Sequence, residues 1–150
     1  MIWLLIIVAG FFYSFWMTSW APKKEFEVNF NFRKMFNEEF IPLTMFAGGE
    51  LKWRVVKISE NWIAFVTKQS PGSYGEIVIV KYLSDTKAKF HATYASQKVG
   101  WGQLNRLYPK FIKEFEKIQS LYTNEELKSE MQGIRESFAD YYEQESWTEV

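Results

Sequence analysis

Apolar and polar positions along the chain follow four rhythms in turn, and each predicts its own kind of element. The first is a run of nineteen residues, Ile2 to Trp20, with no charged side chain. At about 1.5 Å per helical residue such a run reaches roughly 28 Å, close to the ~30 Å hydrocarbon core of a bilayer. A helix satisfies its own backbone polar groups in lipid, so the run predicts a single membrane span. Trp3, Phe11, Phe15, Trp16 and Trp20 are its aromatic anchors, and Trp16 and Trp20 fall where interfacial rings collect. Lys23 and Lys24 follow, and positive charge beside a span favours the cytoplasmic side. Residues 1–22 are therefore expected to be an anchor with its N-terminus outside and the folded part in the cytoplasm. A cleaved secretory signal would open on a basic residue and close on small ones, which this run does not.

The second rhythm has period two. Phe26, Val28, Phe30 and Phe32 alternate with Glu27, Asn29 and Asn31, the pattern of a half-buried strand. Phe32, Phe36 and Phe40 then recur every four residues, which predicts a short helix from about Arg33. Pro42 is expected to kink or restart that helix, and Gly48-Gly49 to end it. Two hairpins follow, Leu51 to Ile58 with Trp62 to Thr67, and Glu76 to Leu83 with Ala88 to Ser96. Valine, isoleucine and aromatic residues dominate all four strands, as pleated surfaces favour.

The last two rhythms are helical. Trp101, Leu104, Tyr108, Phe111, Phe115, Ile118 and Tyr122 step by three and four, an apolar stripe along one long helix. Thr123 with Glu126 three places on is a capping box, and Leu127, Met131, Ile134, Phe138 and Tyr141 give a second stripe. The predicted architecture is α+β: an N-terminal transmembrane helix, then an antiparallel meander sheet with a long helix packed across it, and an extra C-terminal helix. The divisions are an anchor at 1–22, an α+β domain at 23–122 and an acidic helix at 123–150.

That order of elements resembles the small helix-grip domains of the START-like (SRPBCC) superfamily, including compact bacterial families of the DUF1499 type. WRVVKISENWIAFVT, YGEIVIV and KFHATYASQKVGWGQLNRLYPKFIKEFEKI carry the resemblance, with a loose S-x-x-x-G-x-x-x-x-N spacing from Ser96 through Gly100 to Asn105. It covers about residues 26 to 120. The resemblance implies a sheet gripping a long helix, and in the wider superfamily an apolar ligand between them. It implies no catalytic residues for this chain.

Charge and chemistry narrow the picture further. Lys and Arg total 18 and Asp and Glu 18, yet from Glu125 onward eight acids face only Lys128 and Arg135, a net −6 that leaves +6 on the rest. One histidine and no cysteine argue against a metal centre or a nucleophilic triad, and no phosphate-binding Gly-rich loop opens a helix. His91 is expected on a strand face with Lys89 and Thr93, opposite Val80. Glu38-Glu39 and Glu125-Glu126 are adjacent pairs that point apart on a helix, so neither is a carboxylate dyad.

Two surfaces stand out. With Ile58 opposite Trp62, one face of the first hairpin carries Trp53, Val55, Ile63 and Phe65, and the other Val56, Ile58, Trp62, Ala64 and Val66. A sheet wet on one side alternates cleanly, so the second set needs a cover: the helix from Glu125, the helix near Phe36, a partner subunit or the bilayer surface, and as such it is a candidate interface. Arg106, Lys110, Lys113 and Lys117 form a basic stripe on the long helix, suited to anionic headgroups or an acidic partner. The chain is too weakly basic for nucleic acid. The reading is non-enzymatic: a membrane-tethered accessory or assembly subunit of a larger membrane complex, without cofactor or metal. The alternative is a module that holds a lipid, pigment or other apolar ligand between the long helix and the sheet.

Overall fold

Strand β1 (Glu25–Asn31) begins the part of the chain that the structure, a computed structural model, describes: residues 25–67, 75–94 and 104–141. After it come α1 (Asn37–Glu50), β2 (Arg54–Ile58), β3 (Trp62–Val66), β4 (Glu76–Ser84) and β5 (Lys87–Tyr94). Helices α2 (Leu104–Leu121) and α3 (Asn124–Ser137) and a 3-10 turn (Ala139–Tyr141) complete the order. This is an α+β fold. The five strands form one antiparallel sheet in the order β1-β5-β4-β3-β2. All anchor positions (Trp3, Phe11, Phe15, Trp16, Trp20, Lys23, Lys24) and Trp101 lie outside the described residues. Among the described residues no helix is long and apolar enough to cross a membrane.

Phe32, Phe36 and Phe40 share a four-residue spacing but not a helix. Residues 32 to 36 run as a connection, tied to the β4–β5 turn by Phe32 N–H to Thr86 O at 3.0 Å and Met35 N–H to Asp85 O at 2.9 Å. The helix starts at Asn37 because Glu39 turns back to accept the Phe36 N–H at 2.6 Å, one half of a capping box. Phe36 itself is 65% exposed, while Phe32 and Phe40 meet with ring centroids 5.0 Å apart. Pro42 does not break α1, nor do Gly48 and Gly49 end it. Pro42 forfeits one hydrogen bond, to the carbonyl of Glu38, and its burial with Phe40, Ile41 and Leu43 outweighs that loss.

Nearly the whole of α1 is buried, on every side. A helix apolar all round belongs inside. It lies over β2, β3 and β4, with α2 beside it over β1 and β5, and α3 packs on α1 through Leu127, Met131 and Ile134. The long helix therefore shares the sheet's inner face with α1 instead of crossing it alone. The C-terminal helix packs back onto the domain, and its capping box forms as read: Thr123 N–H to Glu126 Oε2 at 2.7 Å and Glu126 N–H to Thr123 Oγ1 at 3.2 Å.

Rings fill the space between α2 and the sheet. Phe30 and Phe115 sit 5.4 Å apart, Phe90 and Phe111 5.3 Å, and Trp53 stacks on Phe111 at 6.0 Å. Arg33 locks the α2–α3 corner, donating to Asn124 Oδ1 at 2.9 Å and to the carbonyls of Gln119 and Tyr122 at 2.5 Å each.

Candidate functional site

Register decides which residues share the sheet's outer face, and two bulges shift it by one residue. On β2, Val56 is bulged out, so Ile58 pairs with Ile63 and Lys57 with Ala64, while Val55 still faces Phe65 and Arg54 faces Val66. Ile58 is thereby carried to the core side, where it is 2% exposed, and Val56 is left at the edge at 39%. The expected outer set of Val56, Ile58, Trp62, Ala64 and Val66 is corrected on both counts. Only Trp62, Ala64 and Val66 line that face squarely. On β4 an irregularity at Leu83 moves the partner of His91 from Val80 to Ile79, although His91 keeps its face with Lys89 and Thr93.

Three rows then cross the outer face. The first runs Arg54, Val66, Ile77, Thr93, Glu25; the second Lys57, Ala64, Ile79, His91, Glu27; the third Trp62, Lys81, Lys89, Asn29. Read the other way, the face has three zones. Arg54 and Lys57 make a basic margin on β2. Trp62, Ala64, Val66, Ile77 and Ile79 make an apolar strip on β3 and β4. A charged ladder occupies β5 and β1. The described helices all pack on the opposite face.

The ladder is built from cross-strand pairs. Lys89 Nζ reaches Glu27 Oε1 at 2.9 Å, and His91 Nε2 reaches Glu25 Oε2 at 3.3 Å. The hydrogen bond from Lys89 holds the Glu27 carboxyl below its usual range. Lys81 faces Lys89 directly, a like-charge pair across the strands that the Glu27 carboxylate offsets at Lys89. Glu25, Glu27, Ile79, Lys81, Lys89 and His91 surround a shallow hollow of about 170 Å³. That is below the ~300 Å³ at which small-molecule pockets begin, so the face suits a broad contact better than an enclosed ligand. Among the described residues no group of three or more acids and histidines is placed to hold a metal.

Arg106, Lys110, Lys113 and Lys117 are exposed on α2, on the side away from Leu107, Phe111, Phe115 and Ile118. Lys117 is drawn to Glu114 at 3.6 Å. Among the described residues, the ion pairs of α3 run from its bases: Lys128 to Glu38 at 3.8 Å, and Arg135 to Glu38 at 3.8 Å and Glu60 at 3.5 Å. None joins the acids of α3 to the basic stripe. Sequence reading passed over Lys81, Arg54 and Lys57, because their placement depends on strand order and on the Val56 bulge.

No protein-family model and no curated protein sequence matches the chain. The START-like resemblance accordingly has no support from relatives.

Proposed function

We propose that the chain is a non-enzymatic, membrane-tethered accessory subunit whose outer sheet face meets another subunit of a membrane complex. One observation carries the reading: an apolar strip of Trp62, Ala64, Val66, Ile77 and Ile79 lies between two charged margins, on the face opposite the helices. Interfaces are built this way, with an apolar centre and a polar rim. The uncharged run Ile2 to Trp20 supports the tether. It ends four residues before β1, a stretch that can reach at most about 14 Å. The aromatic packing between α2 and the sheet leaves the rival reading, an apolar ligand gripped there, without an observation in its favour.

The test is gentle solubilisation of source membranes with tagged full-length chain, beside an Ile79→Asp variant and a Lys113→Glu variant. The expected result is a stoichiometric partner retained by the parent and by Lys113→Glu but lost from Ile79→Asp, with all three chains resisting an alkaline wash of the membranes. A monodisperse monomer that retains nothing, or a partner indifferent to Ile79→Asp, would overturn the interface. Release by the alkaline wash would overturn the tether.

A further inference from the structure

Resting on the reading of the outer sheet face as an interface, we propose that what covers it is a second copy of this chain. The two sheets pack face to face about a two-fold axis that runs parallel to the strands over β4. Arg54 of each copy then meets Glu25 of the other.

The charge pattern selects this axis. β4 is the middle strand of the five, with Arg54 on the edge strand to one side and Glu25 and Glu27 on the edge strand to the other. A two-fold axis along β4 exchanges the two edges and keeps each row opposite itself. In the first row Arg54 faces Glu25, Val66 faces Thr93, and Ile77 faces its own copy. In the second Ile79 faces its own copy, and in the third Trp62 faces Lys89, an aromatic ring against a cation. Both members of the edge pair are available. Arg54 is exposed and no ion pair takes it up among the described residues, while the Glu25 side chain is 71% exposed beside His91. An axis across the strands would instead stack β1 on β1, acid against acid. Lys81 alone meets a like charge in the chosen arrangement, its own copy. The roughly 30° at which aligned sheets cross draws those two ammonium groups apart.

Direction and area agree with this packing. Rotation about a strand-parallel axis leaves the Glu25 ends of both sheets pointing the same way, as two chains held by one membrane require. An axis across the strands sends them in opposite directions. Five strands at about 4.8 Å and three rows at about 6.8 Å make a face of roughly 500 Å², so two copies bury about 1,000 Å². That is the lower bound of specific interfaces. Tethering to one membrane raises the effective concentration, which lets so small a contact hold.

Cross-linking tests the pairing. The chain has no cysteine, so Ile79→Cys gives each copy a single thiol beside the axis. With the full-length chain in its membrane, a short bismaleimide should join two Ile79→Cys copies, whereas Lys113→Cys copies, altered on the helix side, should stay single. Adding Arg54→Glu or Glu25→Arg should lower the joined fraction about tenfold, since each change sets two like-charge pairs across the interface. Adding both should restore it, which a misfolded variant would not do. Within one chain these residues stand four strand spacings apart, about 19 Å, so only pairing between copies can couple them. Absence of joined Ile79→Cys chains, or no recovery in the double variant, would overturn the second copy as occupant. If Ile79→Asp then still loses a different stoichiometric partner from the membranes, the interface itself stands; if it loses none, both fall.

Discussion

Gly48 and Phe65 touch where no side chain has room: a Cβ built on Gly48 would lie 2.5 Å from the Phe65 ring. Phe65 is fully buried between α1 and the sheet, so its ring has nowhere to retreat. This contact sets how closely the central helix approaches β3, and it accounts for a glycine inside a helix that has every reason to avoid one.

Gly48→Ala should therefore destabilise the fold by about 1–3 kcal/mol, the usual cost of overpacking. The neighbouring Gly49 has nothing within 4 Å of the corresponding position. There the helix gains and no clash follows, so Gly49→Ala should stabilise by about 0.5–1 kcal/mol. Urea denaturation of the two variants beside the parent checks the opposite signs.

Arg33 answers three acceptors at the α2–α3 corner. Arg33→Met should cost about 2–3 kcal/mol, since charged hydrogen bonds are lost and two carbonyls are left without a donor. Arg33→Lys should recover little, because an ammonium cannot span the fork of acceptors that a guanidinium does. Thermal unfolding of both variants measures the difference.

The Val56 bulge makes a sharp distinction between two residues that simple alternation puts on one face. Ile58→Asp places a charge in the core and should prevent folding at ordinary temperature. Val56→Asp should change stability by less than about 1 kcal/mol. Equal damage from both, read by circular dichroism, would contradict the register.

Tyr82 donates its hydroxyl to the Met35 carbonyl at 3.1 Å, and burial, with Asp85 and Glu39 nearby, raises its pKa above the ordinary value near 10. The folded state therefore holds the proton longer than the unfolded chain. Stability from this group is complete below about pH 10 and is lost as pH rises through the raised folded value. Tyr82→Phe should cost about 1 kcal/mol at neutral pH through the missing hydrogen bond, and the alkaline loss should shrink. Denaturation at pH 7 and at pH 10.5 separates the two effects.

Glu27 gives the opposite sign. Its pKa is lowered by the Lys89 hydrogen bond, so the pair's contribution is present above the ordinary glutamate value of about 4.3 and fades as pH falls through the lower folded value. Carboxyl titration by NMR should find Glu27 below an unpaired glutamate, and Lys89→Met should return it upward. An unmoved midpoint in Lys89→Met would assign the shift to something other than this pair.

Much of the fold was legible because its signals are local. The two hairpins, the α2 stripe and the Thr123 capping box appear close to where periodicity puts them, since side-chain period and cap chemistry are set by residues a few positions apart. What escaped was set from a distance. The spacing of Phe32, Phe36 and Phe40 looked helical, but Phe32 reaches Phe40 across a connection pinned by the β4–β5 turn. Pro42 and Gly48 read as breakers, and neither breaks α1, whose burial on all sides overrides both. The outer-face set was half right: Trp62, Ala64 and Val66 belong there, Ile58 does not, and a one-residue bulge leaves no mark in the alternation.

The partnership of β1 with β5 has a consequence for how the polypeptide comes off the ribosome. Glu25 meets Thr93 and Asn31 meets Lys87, so among the described strands the first must wait for the last before it has a neighbour. Until then Phe26, Val28 and Phe30 stand open on a nascent chain. Assembly should be led by the later meander, whose partners are close in sequence, and finished by a slow docking of the oldest strand.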